Sequence, residues 1–231
     1  MRPELKYCGN HSLDDLRTVM ASRANDIGFI FTPESKRTVS ARQVGDWLRV
    51  VGRPNGKRLV AVFADDSLAV IERIVRELPI DVVQLHGHES PEAAAAVRRR
   101  TGKAVWKAVR HGDRSLEIMR TYAGIADGYV VDTKVRGQLG GTGLTFDWTA
   151  VPAYMNEARR LGAICLIAGG ICPENIDRLL SYRPMGIDIA SGIETNGRKD
   201  KQQIEKIEQR VWMNHDRTVT DGRDGAKRAI R

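Results

Sequence analysis

The chain has 231 residues, long enough to bury a core without disulfide or metal staples. At 42% hydrophobic and 29% charged it is neither disordered nor collagenous, and three cysteines in so long a chain make no disulfide scaffold. Its 37 basic and 29 acidic residues give a charge of +8, scattered rather than striped with aromatics, so no nucleic-acid partner is expected.

The first apolar block, Leu5–Cys8, is followed by Ser12-Leu13-Asp14-Asp15-Leu16, where Ser12 is placed to cap a helix with Asp15 at its third position. A second block, Ile27–Phe31, precedes a helix over Ser40–Val51 that again opens on serine. Leu59–Phe63 leads into Asp66–Leu78, where Leu68, Ile71, Ile74, Val75 and Leu78 recur at helical spacing. Val82–Leu85 is followed by Ser90-Pro91-Glu92, with proline at the first helical position. Ala104–Ala108 and Gly128–Asp132 are the fifth and sixth blocks. Ala163–Ala168 precedes Cys172-Pro173-Glu174, which reads as a helix start of the same kind. Gly186–Ala190 is the eighth block, and Ile204, Ile207 and Val211 give a last helix its apolar stripe.

Each block is brief and nearly all apolar, as strands buried on both faces are. Eight strand–helix units predict an α/β fold, a single-domain (β/α)8 TIM barrel over residues 1–212. An open doubly wound sheet is the alternative. Residues 213–231 carry Gly222, Gly225 and no periodicity, and are expected to form a disordered basic tail. No apolar run approaches the ~18 residues of a membrane span, and Met1-Arg2-Pro3-Glu4 opens no signal peptide. Cys8, Cys165 and Cys172 show no paired spacing, so free thiols, a cytoplasmic location and no membrane partner are expected.

In a barrel the polar residues at strand ends meet at one mouth. Lys6 and Cys8 share a face of the first strand, Gln84 and His86 a face of the fourth, and Asp132 and Asp188 lie on the sixth and eighth. A thiol and a carboxyl on different strands suit proton transfer on a sugar, with Lys6 able to favour the thiolate. Cys8 also fits as a small buried hydrophobe, and Asp132 as a cap for the helix that follows. Cys165 reads as core and Cys172 as loop. His11, His88, His111 and His215 have no ligand spacing and read as surface.

Ala168-Gly169-Gly170 follows the seventh strand and Ser191-Gly192 the eighth, where backbone N–H groups of this fold hold phosphate. Tight turns would use the same glycines. Gly140-Gly141-Thr142-Gly143 lies after the sixth strand with no strand feeding it directly, so it reads as a lid or a third phosphate loop, not a dinucleotide fingerprint.

Taken in order, Lys6-Tyr7-Cys8-Gly9, Ser35-Lys36-Arg37, Gln84-Leu85-His86-Gly87, Asp132-Thr133, Gly140-Gly141-Thr142-Gly143 with Phe146-Asp147-Trp148, Ala168-Gly169-Gly170 with Pro173-Glu174-Asn175, and Asp188 through Glu194 with Gly197-Arg198-Lys199-Asp200 resemble phosphoribosylanthranilate isomerase over about residues 4–212. The resemblance implies a TIM barrel of tryptophan biosynthesis that carries out an Amadori rearrangement without cofactor or metal. It implies Cys8 as general base and Asp132 as general acid. Arg37, Gln84, His86 and Asp188 are then expected to bind substrate, and Gly141, Gly143, Gly169, Gly170, Ser191 and Gly192 its phosphate. The partner would be this small molecule, with the chain a monomer or a homodimer. The chain departs from the family pattern at Tyr7, expected to face outward, and at Asn10-His11 in the first loop. Two rival readings are another phosphate-binding barrel, indole-glycerol-phosphate synthase, for which Lys107 is the available lysine, and a non-catalytic sugar-phosphate-binding barrel.

Overall fold

Eight short strands, each the partner of the next, close into a parallel barrel in the computed structural model, which describes residues 2–133 and 145–213. They are β1 (Glu4–Tyr7), β2 (Asp26–Ile30), β3 (Arg58–Phe63), β4 (Val82–Leu85), β5 (Ala104–Arg110), β6 (Gly128–Asp132), β7 (Ile164–Ile167) and β8 (Gly186–Ile189). The register Lys6↔Asp26 on one side of β1 and Lys6↔Asp188 on the other closes the ring. Closure excludes the open doubly wound sheet. Every expected strand is present, its ends shifted by no more than two residues.

Alternation along the strands divides the interior into two cores. Leu5, Tyr7, Ile27, Phe29, Leu59, Val83, Tyr129, Cys165 and Ile187 face outward into the helical layer. Tyr7 is among them, with its hydroxyl toward Glu208 as expected of an outward residue. Val60, Val62, Val82, Trp106, Val130 and Leu166 fill the barrel itself, with Cys8 and Ala168 at their upper edge. The barrel is therefore plugged from below, and only its mouth is open to a ligand.

The helices begin where serine offers a side-chain oxygen to a free backbone N–H. Ser12 caps α1 (Leu13–Met20), Ser40 caps α2 (Ala41–Val51) through a full capping box with Gln43, and Ser90 caps α4 (Pro91–Thr101). The cap of α3 (Leu68–Glu77) is Ser67, one residue after the expected start. α5 (Ser115–Thr121) and α6 (Val151–Arg160) lack side-chain caps. Pro173 does not open α7 (Ile176–Leu180), which starts three residues later. The reason is local: Asn175 accepts from the Cys172 N–H at 3.0 Å and donates to the Gly170 carbonyl at 2.8 Å, turning the chain before the helix begins. After β8 come a short hairpin, β9 (Glu194–Thr195) and β10 (Arg198–Lys199), and the helix α8 (201–213).

Met213, expected in the tail, is helical, and residues 214–231 with His215 lie outside the described residues. The Gly140–Gly143 cluster lies outside them too. Among the described residues the three cysteines are free, and no helix is long and apolar enough to cross a membrane.

Candidate active site

The mouth holds a cavity of about 790 Å³, its open end included, walled by the ends of seven strands and their loops. Cys8, Arg37, Gln84, His86, Asp132, Gly169, Gly170, Asp188, Ser191 and Gly192 all line it. Every expected site residue within the described part of the chain thus meets at one place. Gly141 and Gly143 lie outside the described residues.

Cys8 is nearly buried at the top of β1. Its sulfur fits because Gly28 on β2 has no side chain: a Cβ there would lie 2.7 Å from Cys8 Sγ. Below it, Lys6 Nζ donates to Asp188 Oδ2 at 2.8 Å, with both side chains buried inside the barrel. Burial pushes the Cys8 thiol above its ordinary value, the Lys6 ammonium pulls it back through charge and a hydrogen bond, and Asp188 pushes it up again. The expected help from Lys6 is present, yet burial outweighs it.

Asp132 ends β6 with its carboxylate partly exposed to the cavity. Oδ1 accepts from the Thr133 N–H at 2.7 Å, and Oδ2 lies 3.5 Å from His86 Nε2. His86 Nδ1 is 3.0 Å from Gln84 Nε2. With the Gln84 amide donating, Nδ1 accepts and Nε2 carries its hydrogen toward Asp132. Among the described residues the next helical turn, Trp148–Ala150, is capped by Asp147, whose Oδ1 accepts from the Thr149 N–H, and not by Asp132.

Gly169 and Gly170 have φ of +89° and +64°, a region side chains rarely adopt. A Cβ on Gly169 would lie 2.2 Å from Thr133 Oγ1 and 2.6 Å from Asp132 Oδ1, so the loop after β7 leans directly on the carboxylate. A Cβ on Gly192 would lie 1.8 Å from the Ile171 carbonyl oxygen. These loops pack backbone against backbone, as a cradle of N–H groups around an anion requires. The Thr133 hydroxyl is buried beside them without a hydrogen-bond partner among the described residues.

Several residues take other positions than expected. Lys107 is buried among the Leu85 and Gly87 carbonyls and Glu89 and does not line the cavity, where the synthase reading would need it. Asn10 is buried and donates to the Tyr7 and Gly28 carbonyls, clamping β1 to β2 rather than facing a ligand. His111 is no simple surface residue: its ring stacks on Phe146 at 4.4 Å, and Nδ1 meets the Tyr154 hydroxyl at 2.9 Å.

Glu194 and Lys199 carry roles that patterning did not reveal. They face each other across the hairpin, Glu194↔Lys199, and Glu194 takes both Nε and Nη2 of Arg37. Asn196-Gly197 between the two strands is a two-residue hairpin signal that marks this pairing in the sequence.

Comparison with known proteins agrees with this geometry. The model of the N-(5'phosphoribosyl)anthranilate (PRA) isomerase family matches residues 5–210. The chain is 54% identical over 207 residues to N-(5'-phosphoribosyl)anthranilate isomerase of Geobacillus thermodenitrificans, covering 90% of this chain and 93% of that one. It is 45% identical over 210 residues to the isomerase of Bacillus subtilis, covering 91% and 95%. The crystal structure of phosphoribosyl anthranilate isomerase from Thermotoga maritima superposes with a TM-score of 0.77 at 29% identity, over 90% of this chain and 98% of that one. A solved isomerase in complex with reduced 1-(o-carboxyphenylamino)-1-deoxyribulose 5-phosphate superposes at 0.75 with 27% identity, over the same shares. The chain belongs to the phosphoribosylanthranilate isomerase family of tryptophan biosynthesis.

Proposed function

We propose that the chain converts N-(5'-phosphoribosyl)anthranilate to 1-(2-carboxyphenylamino)-1-deoxyribulose 5-phosphate by an Amadori rearrangement, with Asp132 as general acid and Cys8 as general base. The observation that carries this reading is that Cys8 and Asp132 face one cavity from separate strands, with the glycine loops after β7 and β8 at its rim.

Asp132 in its protonated form gives its proton to the ribose ring oxygen. The C1–O bond breaks while the anthranilate nitrogen lends its lone pair, leaving an imine at C1. The Cys8 thiolate then removes the proton on C2, and that electron pair flows into the C1–N system to give an enamine. Tautomerisation adds a proton at C1 and removes the one on the C2 hydroxyl; it leaves Cys8 protonated and Asp132 ionised, and loss of the Cys8 proton to solvent with uptake of one by Asp132 resets the enzyme. The scheme draws only on side chains and the substrate's own nitrogen. Gly169, Gly170, Ser191 and Gly192 would hold the phosphate at the rim, and Arg37 would meet the ring carboxylate with its planar fork. Gln84 and His86 would orient the acid, and Asp188 the lysine beneath the base.

The test is the decay of anthranilate-type fluorescence from substrate generated in situ, for the parent, Cys8→Ala and Asp132→Asn. Loss of either general catalyst is expected to cost about 10²- to 10⁴-fold in kcat with ligand affinity largely kept. Equal turnover by Asp132→Asn and the parent would remove Asp132 as the acid. A protein that binds sugar phosphate without turning it over would be indifferent to Cys8→Ala.

A further inference from the structure

Arg37 reaches the cavity from the loop after β2. Its side chain passes over Gly9, where a Cβ would lie 2.4 Å from Arg37 Cδ. What fixes the guanidinium is Glu194, 157 residues away: Oε1 accepts from Nε at 2.9 Å and Oε2 from Nη2 at 2.7 Å. Glu194 is itself held. Lys199 Nζ donates to Oε1 at 2.8 Å, and its remaining hydrogens go to the Cys8 carbonyl at 2.7 Å and the Ala190 carbonyl at 2.9 Å. The Lys199 backbone N–H is tied in turn to Asp15 of α1 at 2.9 Å.

All three ammonium hydrogens of Lys199 and both oxygens of Glu194 are thereby used inside the protein. A guanidinium has five N–H groups, and Glu194 takes two, so Nη1 and the second hydrogen of Nη2 remain for a ligand in the cavity that Arg37 lines. Burial alone would push the Glu194 carboxyl up; hydrogen bonds and charge from Arg37 and Lys199 outweigh it and keep the carboxyl below its ordinary value. The pair is charged and rigid where the substrate arrives. It also connects Arg37, through Lys199, to the backbone of Cys8 and to the loop after β8.

We propose that Glu194, braced by Lys199, is a positioning residue that aims the free edge of Arg37 at the ring carboxylate of the substrate and so sets selectivity for a carboxylated aromatic amine. The inference rests on the reading of Arg37 given above and extends it to a residue that does not itself touch substrate. Glu194→Gln keeps the volume but replaces one acceptor by an amide N–H₂, which then confronts a guanidinium donor. The fork must turn or shift.

The experiment compares two stable inhibitors of turnover: reduced 1-(2-carboxyphenylamino)-1-deoxyribulose 5-phosphate and its phenylamino counterpart, which lacks the carboxylate. A clamp displaced by about 1 Å is costly, so Glu194→Gln is expected to weaken the carboxylated inhibitor about tenfold and the phenylamino one less than about twofold. Arg37→Lys, which replaces the fork by a point charge, is expected to show the same selectivity. Equal weakening of both inhibitors by Glu194→Gln, or none, overturns the positioning role while a selective Arg37→Lys keeps the Arg37 reading. A non-selective Arg37→Lys overturns both. Should Glu194→Gln not fold, Glu194→Asp retains the charge, shortens the brace by one methylene and is read by the same ratio.

Discussion

Lys6 Nζ and Asp188 Oδ2 meet at 2.8 Å inside the barrel, directly under the Cys8 thiol. The pair presents opposite charges to one sulfur: the ammonium favours the thiolate and the carboxylate opposes it. With burial added, the thiol stands above its ordinary value. If Cys8 works as thiolate, kcat/KM rises with pH along a limb that belongs to this group, and it falls about tenfold for each pH unit below it. Removing the carboxylate by Asp188→Asn leaves Lys6 unopposed and is expected to move the limb to lower pH. Lys6→Met moves it up. A limb that stays in place in both variants would separate the pH dependence from Cys8.

The loop after β7 and the Asp132 carboxylate share so little space that they respond together. Gly169→Ala introduces a Cβ 2.6 Å from Asp132 Oδ1 at a backbone φ of +89°, so either the loop or the carboxylate moves. A displacement near 1 Å of a reacting group costs up to about 10²-fold, and this loss is expected in kcat. Gly192→Ala strikes a different contact, the Ile171 carbonyl, and is expected to raise KM by opening the loop proposed to hold phosphate. Steady-state kinetics of the two variants separate the effects. The reverse pattern would exchange the roles of the two loops.

Lys107 tests the synthase alternative directly. Its ammonium and the Glu89 carboxylate form a 2.8 Å pair in which both side chains are nearly buried. Lys107→Met leaves that carboxylate uncompensated and is expected to cost about 3–5 kcal/mol of stability, measured by urea unfolding. The folded fraction at low temperature should keep the parent's kcat. A loss of kcat beyond the unfolded fraction would return Lys107 to the chemistry.

The strands and the serine-capped helices were readable because each announces itself locally. An apolar block such as Leu59–Phe63 has no other stable home than a strand covered on both faces, and Ser40 with Gln43 builds its capping box within four residues. The residues Cys8, Asp132, Gly169 and Ser191 were readable for the same reason, since strand ends in a barrel converge whatever the loops do. Contacts set by loop packing were not. Arg37 and Glu194 are 157 residues apart, and no periodicity relates them. The aromatic cluster of His111 depends on where Phe146 returns after β6. Both are tertiary events that local propensity does not encode. The start of α7 is local, but it turns on which backbone groups the Asn175 side chain bonds.

Glu157 of α6 links two helices on the outside of the barrel and gives stability a dependence on acid. Arg120 of α5 and Arg160 of α6 both hydrogen-bond its carboxylate, holding it down to about 2 from an ordinary 4.5. Because the folded value is depressed, the contribution is fully present above about pH 4.5 and is lost as pH falls toward 2. Both arginines are more than half exposed, so solvent screening reduces the worth of the cluster to about 1 kcal/mol. Glu157→Gln is expected to cost that amount at pH 7 and distinctly less at pH 3, by urea unfolding at the two values. High salt should shrink the pH 7 loss as well, since exposed partners are screened over a Debye length. A loss equal at both pH values would mean that Glu157 acts through packing between α5 and α6 rather than through its charge.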